Sequence, residues 1–248
     1  MRVARFVRYF LLLAAIAAAS ARAGDTLVLA TNVDKDQSDF GRLVYLIYSE
    51  AFRRLDLTLE LRTYPALRSS VEAAADKVDG EVLRAYHYAA LHPNLVRVEQ
   101  PVLAVTMVGF ALDRAIELNG MDSLAGKNYR IELRAGYPVF KAQLETVLAS
   151  EKLSVVTESE LGFRKLLAGR TDIYIEVDEY AQPLLAAEPF KGRGIRAAGV
   201  VATVPLYGYL NKRHAGLAPR LAQALKEMHD TGVIARLRVR ARRAAALP

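Results

Sequence analysis

The chain has 248 residues, 52% hydrophobic and 25% charged, with 15 Gly, 9 Pro and neither Cys nor Trp; this excludes an unfoldable chain and a disulfide-stapled one. Its formal net charge of +7 sits at the two ends. Arg2, Arg5, Arg8 and Arg22 carry four of the charges and Arg236, Arg238, Arg240, Arg242 and Arg243 five, so the rest is slightly acidic at −2, which argues against a broad phosphate-binding face and a nucleic-acid partner.

The first segment reads as a secretion signal. Arg2, Arg5 and Arg8 form a basic start, Phe10 to Ala19 a short apolar run, and Ala21-Arg22-Ala23 places small residues where a signal peptidase reads. Cleavage is expected after Ala23, giving a mature chain from Gly24 in the periplasm. The apolar run is shorter than the roughly 20 residues a spanning helix needs.

Beyond it, Leu27 to Ala30 reads as a strand ending in Thr31-Asn32, followed by a helix containing Leu43, Leu46, Ile47, Ala51 and Leu55. Leu57, Leu59 and Leu61 alternate with polar residues as a second strand, Leu67 to Ala75 is helical, and Val78 to Leu83 closes a β-α-β-α-β unit. The order recurs with strands Tyr129 to Leu133, Leu153 to Val156 and Ile173 to Val177, and helices Val139 to Leu148 and Leu161 to Leu167. Lys77-Val78-Asp79-Gly80 and Gly169-Arg170-Thr171-Asp172 punctuate the two units at matching places. Alternating strands and helices predict an α/β fold with parallel sheets.

Two such units predict two lobes, each with its own sheet. The β-rich segments Val102 to Leu112 and Val200 to Leu210 are expected to cross between them, and helical spacing resumes at Leu217, Leu221, Leu225 and Met228. Residues 24–104 with 206–248 are expected to form one lobe and residues 105–205 the other. A ligand belongs in the cleft, beyond the carboxyl ends of the strands.

Catalytic motifs are lacking. The sequence holds no G-x-S-x-G elbow, no cysteine and no H-E-x-x-H, and His87, His92, His214 and His229 are scattered. Neither a metal nor a cofactor is expected.

The strand ends supply the candidate site. Arg84 directly follows a predicted strand and is either a planar grip for a carboxylate or a surface arginine. Its removal is expected to cost ligand affinity and much less stability. Tyr86 and Tyr88 either line the pocket or cover the lobe. Asn32 ends the first strand. Gly136-Tyr137-Pro138 joins a strand to a helix start that favours an anion. Glu176 shares a strand face with Tyr174, and Asp178 follows at the strand's end, placed either to hold an amine or to form a rim salt bridge.

Lys77-Val78-Asp79-Gly80, Arg97 to Val102, Ser123 to Lys127, Leu166 to Asp172 and Leu225 to Gly232, in this order, resemble the family 3 periplasmic solute-binding proteins. The resemblance covers nearly all of residues 26–240. It implies a periplasmic-binding-protein type II fold, a Venus-flytrap cleft and, in most members, delivery of a polar amino acid to an ABC-type importer. Counting from Asp79, the family's carboxylate-clamping arginine falls on Leu91. Counting from Asp172, its amine-holding aspartate falls on Val177, between Glu176 and Asp178.

The resulting expectation is a monomeric solute-binding protein that takes a small polar or anionic metabolite, amino-acid-like or otherwise, and passes it to a membrane permease. Two alternatives remain: a periplasmic ligand sensor that docks on a membrane receptor, and a periplasmic dehydratase acting on prephenate-like acids with Glu176 as general acid.

Overall fold

The computed structural model describes residues 26–244. The expected cleavage after Ala23 lies outside the described residues. In chain order the elements are β1 (Thr26–Thr31), α1 (Asp39–Arg53), β2 (Thr58–Thr63), α2 (Ala66–Ala74), β3 (Gly80–Ala85), β4 (Leu95–Arg97), β5 (Leu103–Ala111), β6 (Leu118–Asn119), β7 (Ile131–Arg134), α3 (Pro138–Val147), β8 (Leu153–Val156), α4 (Ser159–Leu167), β9 (Ile173–Val177), α5 (Asp178–Leu185), β10 (Arg196–Asn211), α6 (Ala218–Asp230) and α7 (Val233–Ala244). No described helix is long and apolar enough to cross a membrane.

Local chemistry accounts for the element boundaries. Helix α1 begins where the Ser38 hydroxyl accepts from the Gly41 amide at 3.0 Å, with Asp39 in its first turn and Arg53 in its last. Its buried stripe of Leu43, Val44, Ile47, Tyr48, Ala51 and Phe52 packs into the core, and Leu55 falls just past its end.

The repeated punctuation has a shared physical cause. The Asp79 carboxylate accepts from the Val28 amide at 2.8 Å, and that of Asp172 accepts from the Arg130 amide at the same distance. In each half the aspartate before the last strand thereby ties it to the first strand, in one half within β1 and in the other just before β7. Strands β2-β1-β3 and β8-β7-β9 are accordingly parallel sets.

The expectation of a separate sheet for each half is corrected. Ten strands form one curled sheet, in the order β2-β1-β3-β10-β5-β9-β7-β8, with β4 and β6 also bonded to β10. The reason is the length of the crossing strands. β10 runs antiparallel to β5 over Arg196 to Leu206 and then to β3, while β5 closes the edge of β9. Each parallel set would otherwise end in unpaired backbone groups. The sheet is therefore mixed, with parallel flanks and an antiparallel middle.

Candidate functional site

Two clusters of polar side chains form at strand ends, one in each half. The first is built on β3. Arg84 lies within this strand, not beyond it as the sequence suggests. In a regular strand residues 81 and 84 face opposite sides. Here Leu83 has φ 58° and the register slips opposite Tyr207 and Tyr209, so β3 carries an extra residue and Arg84 turns to the face of Glu81.

Arg84 Nη2 and Nε donate to Glu81 Oε1 at 2.5 and 3.1 Å. Glu81 is fully buried and also accepts from the Ser69 hydroxyl at 2.7 Å. The guanidinium lies over the Tyr88 ring at 5.2 Å, and that ring stacks on His92. Arg84 is thus the half-buried ion-pair partner of a fully buried carboxylate, a geometry in which its removal is expected to cost the fold as well. Tyr86 is 46% exposed, packs its face on Arg97 at 3.5 Å and meets the Tyr207 ring in a T-shaped pair at 5.6 Å. Asn32 is half-buried at the end of β1, which lies between β2 and β3.

The second cluster is built on β7 and β9. Glu132 and Tyr174 are register partners, so with Arg134 and Glu176 two residues further along their strands all four share one face. Glu176 is fully buried and accepts from the Ser159 hydroxyl at 2.6 Å, the Tyr174 hydroxyl at 2.7 Å and the Val177 amide at 2.8 Å. Arg134 Nε lies 3.8 Å from Glu176 Oε2, beyond hydrogen-bond reach, and is buried without a hydrogen-bond partner among the described residues.

The Arg134 guanidinium lies over the Tyr180 ring at 4.7 Å. Burial opposes its charge most strongly, but the Glu176 carboxylate together with the Tyr137, Tyr180 and Tyr174 hydroxyls holds its pKa above the usual arginine value. Burial also pushes the Tyr180 hydroxyl up to about 12 and that of Tyr137 higher still, so both rings stay neutral. Phe40 of α1 meets Tyr180 of α5 edge to face at 5.7 Å, joining the two halves at this point.

Gly136 adopts φ 104°, and Tyr137 precedes Pro138 at the first position of α3. Asp178 opens α5 and accepts from the Gln182 side chain at 2.7 Å. The structure therefore gathers Gly136, Tyr137, Glu176 and Asp178 at neighbouring strand ends of one half, and Arg84 and Tyr86 at the end of β3 in the other.

Three residues of the second cluster escape the sequence reading. Arg134 carries the signal used for Arg84, a cation at a predicted strand end, two residues before Gly136. Tyr180 lies on α5, a helix that the strand ending at Val177 hides because no loop separates them. Phe40 reaches the cluster only through a contact 140 residues apart in the chain.

Gly162 holds this arrangement in place. A Cβ there would lie 2.2 to 2.6 Å from three atoms of the Tyr174 ring. Gly162→Ala is expected to destabilise the fold by about 1–3 kcal/mol and to shift the Tyr174 hydroxyl off Glu176. An unchanged denaturation midpoint would show that the ring has room to move.

No protein-family model matches the chain. An uncharacterized protein of Shewanella oneidensis is 30% identical over 217 residues, spanning 88% of this chain and 82% of that protein. Among solved structures, a histidine kinase sensor domain with similarity to periplasmic binding proteins superposes with a TM-score of 0.68 at 14% identity, covering 88% of this chain and 96% of that one. A probable amino-acid ABC transporter extracellular-binding protein of Bacillus subtilis gives 0.65 at 18% identity, covering 88% and 98%. A periplasmic binding protein of an arginine transport system from Legionella pneumophila gives 0.61 at 16%, covering 88% and 100%. The chain belongs to one family with the Shewanella oneidensis protein, and its fold is the periplasmic-binding-protein type II fold of the family 3 solute-binding proteins.

Proposed function

We propose that this protein captures a small polar or anionic solute between its two α/β halves, outside the cytoplasmic membrane, and hands it to an ABC-type importer. Residues 24–104 with 206–248 act as one lobe, residues 105–205 as the other, and β5 and β10 as the strands about which they close. The observation that carries this reading is Arg134, a guanidinium at the end of β7 with a buried, unpartnered Nε. It lies beside the start of α3, where backbone amides also favour an anion. On this reading Gly136, Tyr137, Glu176 and Asp178 line one side of the site, and Arg84, Tyr86 and Asn32 the other.

Capture is favoured over turnover by the hydrogen bonds around Glu176. A dehydratase would need it as a proton donor, yet its carboxylate already accepts three hydrogen bonds. A sensing role is the second reading, favoured by the likeness to the histidine kinase sensor domain. In both roles the same closure would signal occupancy to a membrane partner.

A thermal-shift screen of carboxylates, amino acids and phosphorylated metabolites tests the proposal. A true ligand at about 100 times its dissociation constant is expected to stabilise the protein by roughly 2.7 kcal/mol. Small-angle scattering with that ligand is then expected to show compaction. Failure of every such solute to raise the melting temperature would overturn the reading.

A further inference from the structure

The C-terminal helix α7 has a buried side and a strongly basic one. Ile234 and Ala241 are buried, and Arg42 of α1 donates to the Ala241 carbonyl at 3.0 Å, fastening the helix to the body. Arg236, Arg240 and Arg242 are exposed, with Val239 among them 51% exposed. At 100° per residue Arg236, Val239 and Arg240 fall on the side away from the buried stripe, whereas Arg242 falls on its flank, where its charge acts on Glu179 of α5. Residues 233–248 contain no acid. Arg238 points elsewhere, to within 3.8 Å of Glu179 on α5.

The basic face continues onto α1. A groove of about 250 Å³ is lined by Lys35, Asp36, Arg42, Tyr45, Leu46 and Arg240. Lys35 is paired with Asp36 and Arg42 with Asp39, and with Arg240 they meet two apolar walls, Tyr45 and Leu46, a combination suited to a headgroup with hydrocarbon attached. Because residues between the charged ends sum to −2, the molecule is electrically polarised and an anionic surface would orient it with α7 inward.

We propose that α7 and this groove form a docking face for a bilayer with anionic headgroups. Arg236 and Arg240 meet the lipid phosphates, and Val239 enters the interface between them. Nucleic acid presents the same phosphate chemistry, but it offers no apolar layer for Val239, Tyr45 and Leu46. The proposal does not depend on what the cleft binds.

Vesicle sedimentation of the chain from Gly24, the mature form that the leader predicts, tests it. Vesicles of equal parts phosphatidylglycerol and phosphatidylcholine are expected to retain the protein in low salt and release it in 0.5 M salt, as about a threefold shorter screening length than at 0.05 M requires. Each arginine neutralised is expected to weaken binding about fivefold, so Arg236→Gln/Arg240→Gln weakens it about 25-fold. Both positions are exposed, Arg236 donating only to the Thr231 carbonyl at 3.1 Å, and an unchanged melting curve confirms that the variant is folded. Equal retention on pure phosphatidylcholine, undiminished binding by the double variant, or preference for duplex DNA at equal phosphate concentration would each overturn the proposal.

Discussion

Arg84→Ala is expected to destabilise the folded protein by about 3–5 kcal/mol, because it strips a buried carboxylate of its cation. Glu81 is fully buried and the Arg84 side chain only 14% exposed, so water cannot replace the guanidinium without opening the packing around Tyr88. The Ser69 hydroxyl remains as a donor, but a neutral donor does not balance the charge. Adding Glu81→Gln removes that charge and is expected to recover most of the loss. Denaturant midpoints of the wild type, both single variants and the double variant form the cycle that measures the coupling. A loss below about 1 kcal/mol in Arg84→Ala would place this pair among solvent-screened surface bridges.

Arg134→Ala is expected to behave in the opposite way, lowering solute affinity by roughly 2–5 kcal/mol while costing much less stability. The asymmetry lies in the carboxylate left behind. Glu176 keeps its three hydrogen-bond donors when Arg134 is removed, whereas Glu81 loses both of its guanidinium contacts when Arg84 is removed. Arg134→Lys keeps the charge but loses the planar fork and the stacking on Tyr180, so an intermediate affinity is expected. Calorimetric titration with a solute from the thermal-shift screen measures all three proteins. An affinity for Arg134→Ala within about threefold of wild type, less than about 1 kcal/mol, would remove Arg134 from the site.

Together the two arginines show why residue type at a strand end does not settle a role. Both end strands that point toward the junction of the halves, and both lie near a buried glutamate. One is committed to its glutamate by direct hydrogen bonds, and the other stands 3.8 Å off with a donor unused. Less than 2 Å of separation distinguishes a fold-stabilising pair from a candidate ligand contact.

What the sequence determined by itself was the local and the repeated. Periodicity placed the principal helices and strands, since burial of one face follows from spacing along a single element. The matched Asp79 and Asp172 marked two equivalent units because each closes the same backbone link in its own half. The join of the two units into one sheet was decided only in the tertiary structure, since strand pairing across β10 and β5 involves residues far apart in the chain. So was the turn of Arg84 onto Glu81, which depends on a slipped register and on a left-handed Leu83 that no propensity signals. The meeting of Arg134, Tyr180 and Phe40 had the same origin: no spacing within one element encodes a contact between helices and strands of different halves.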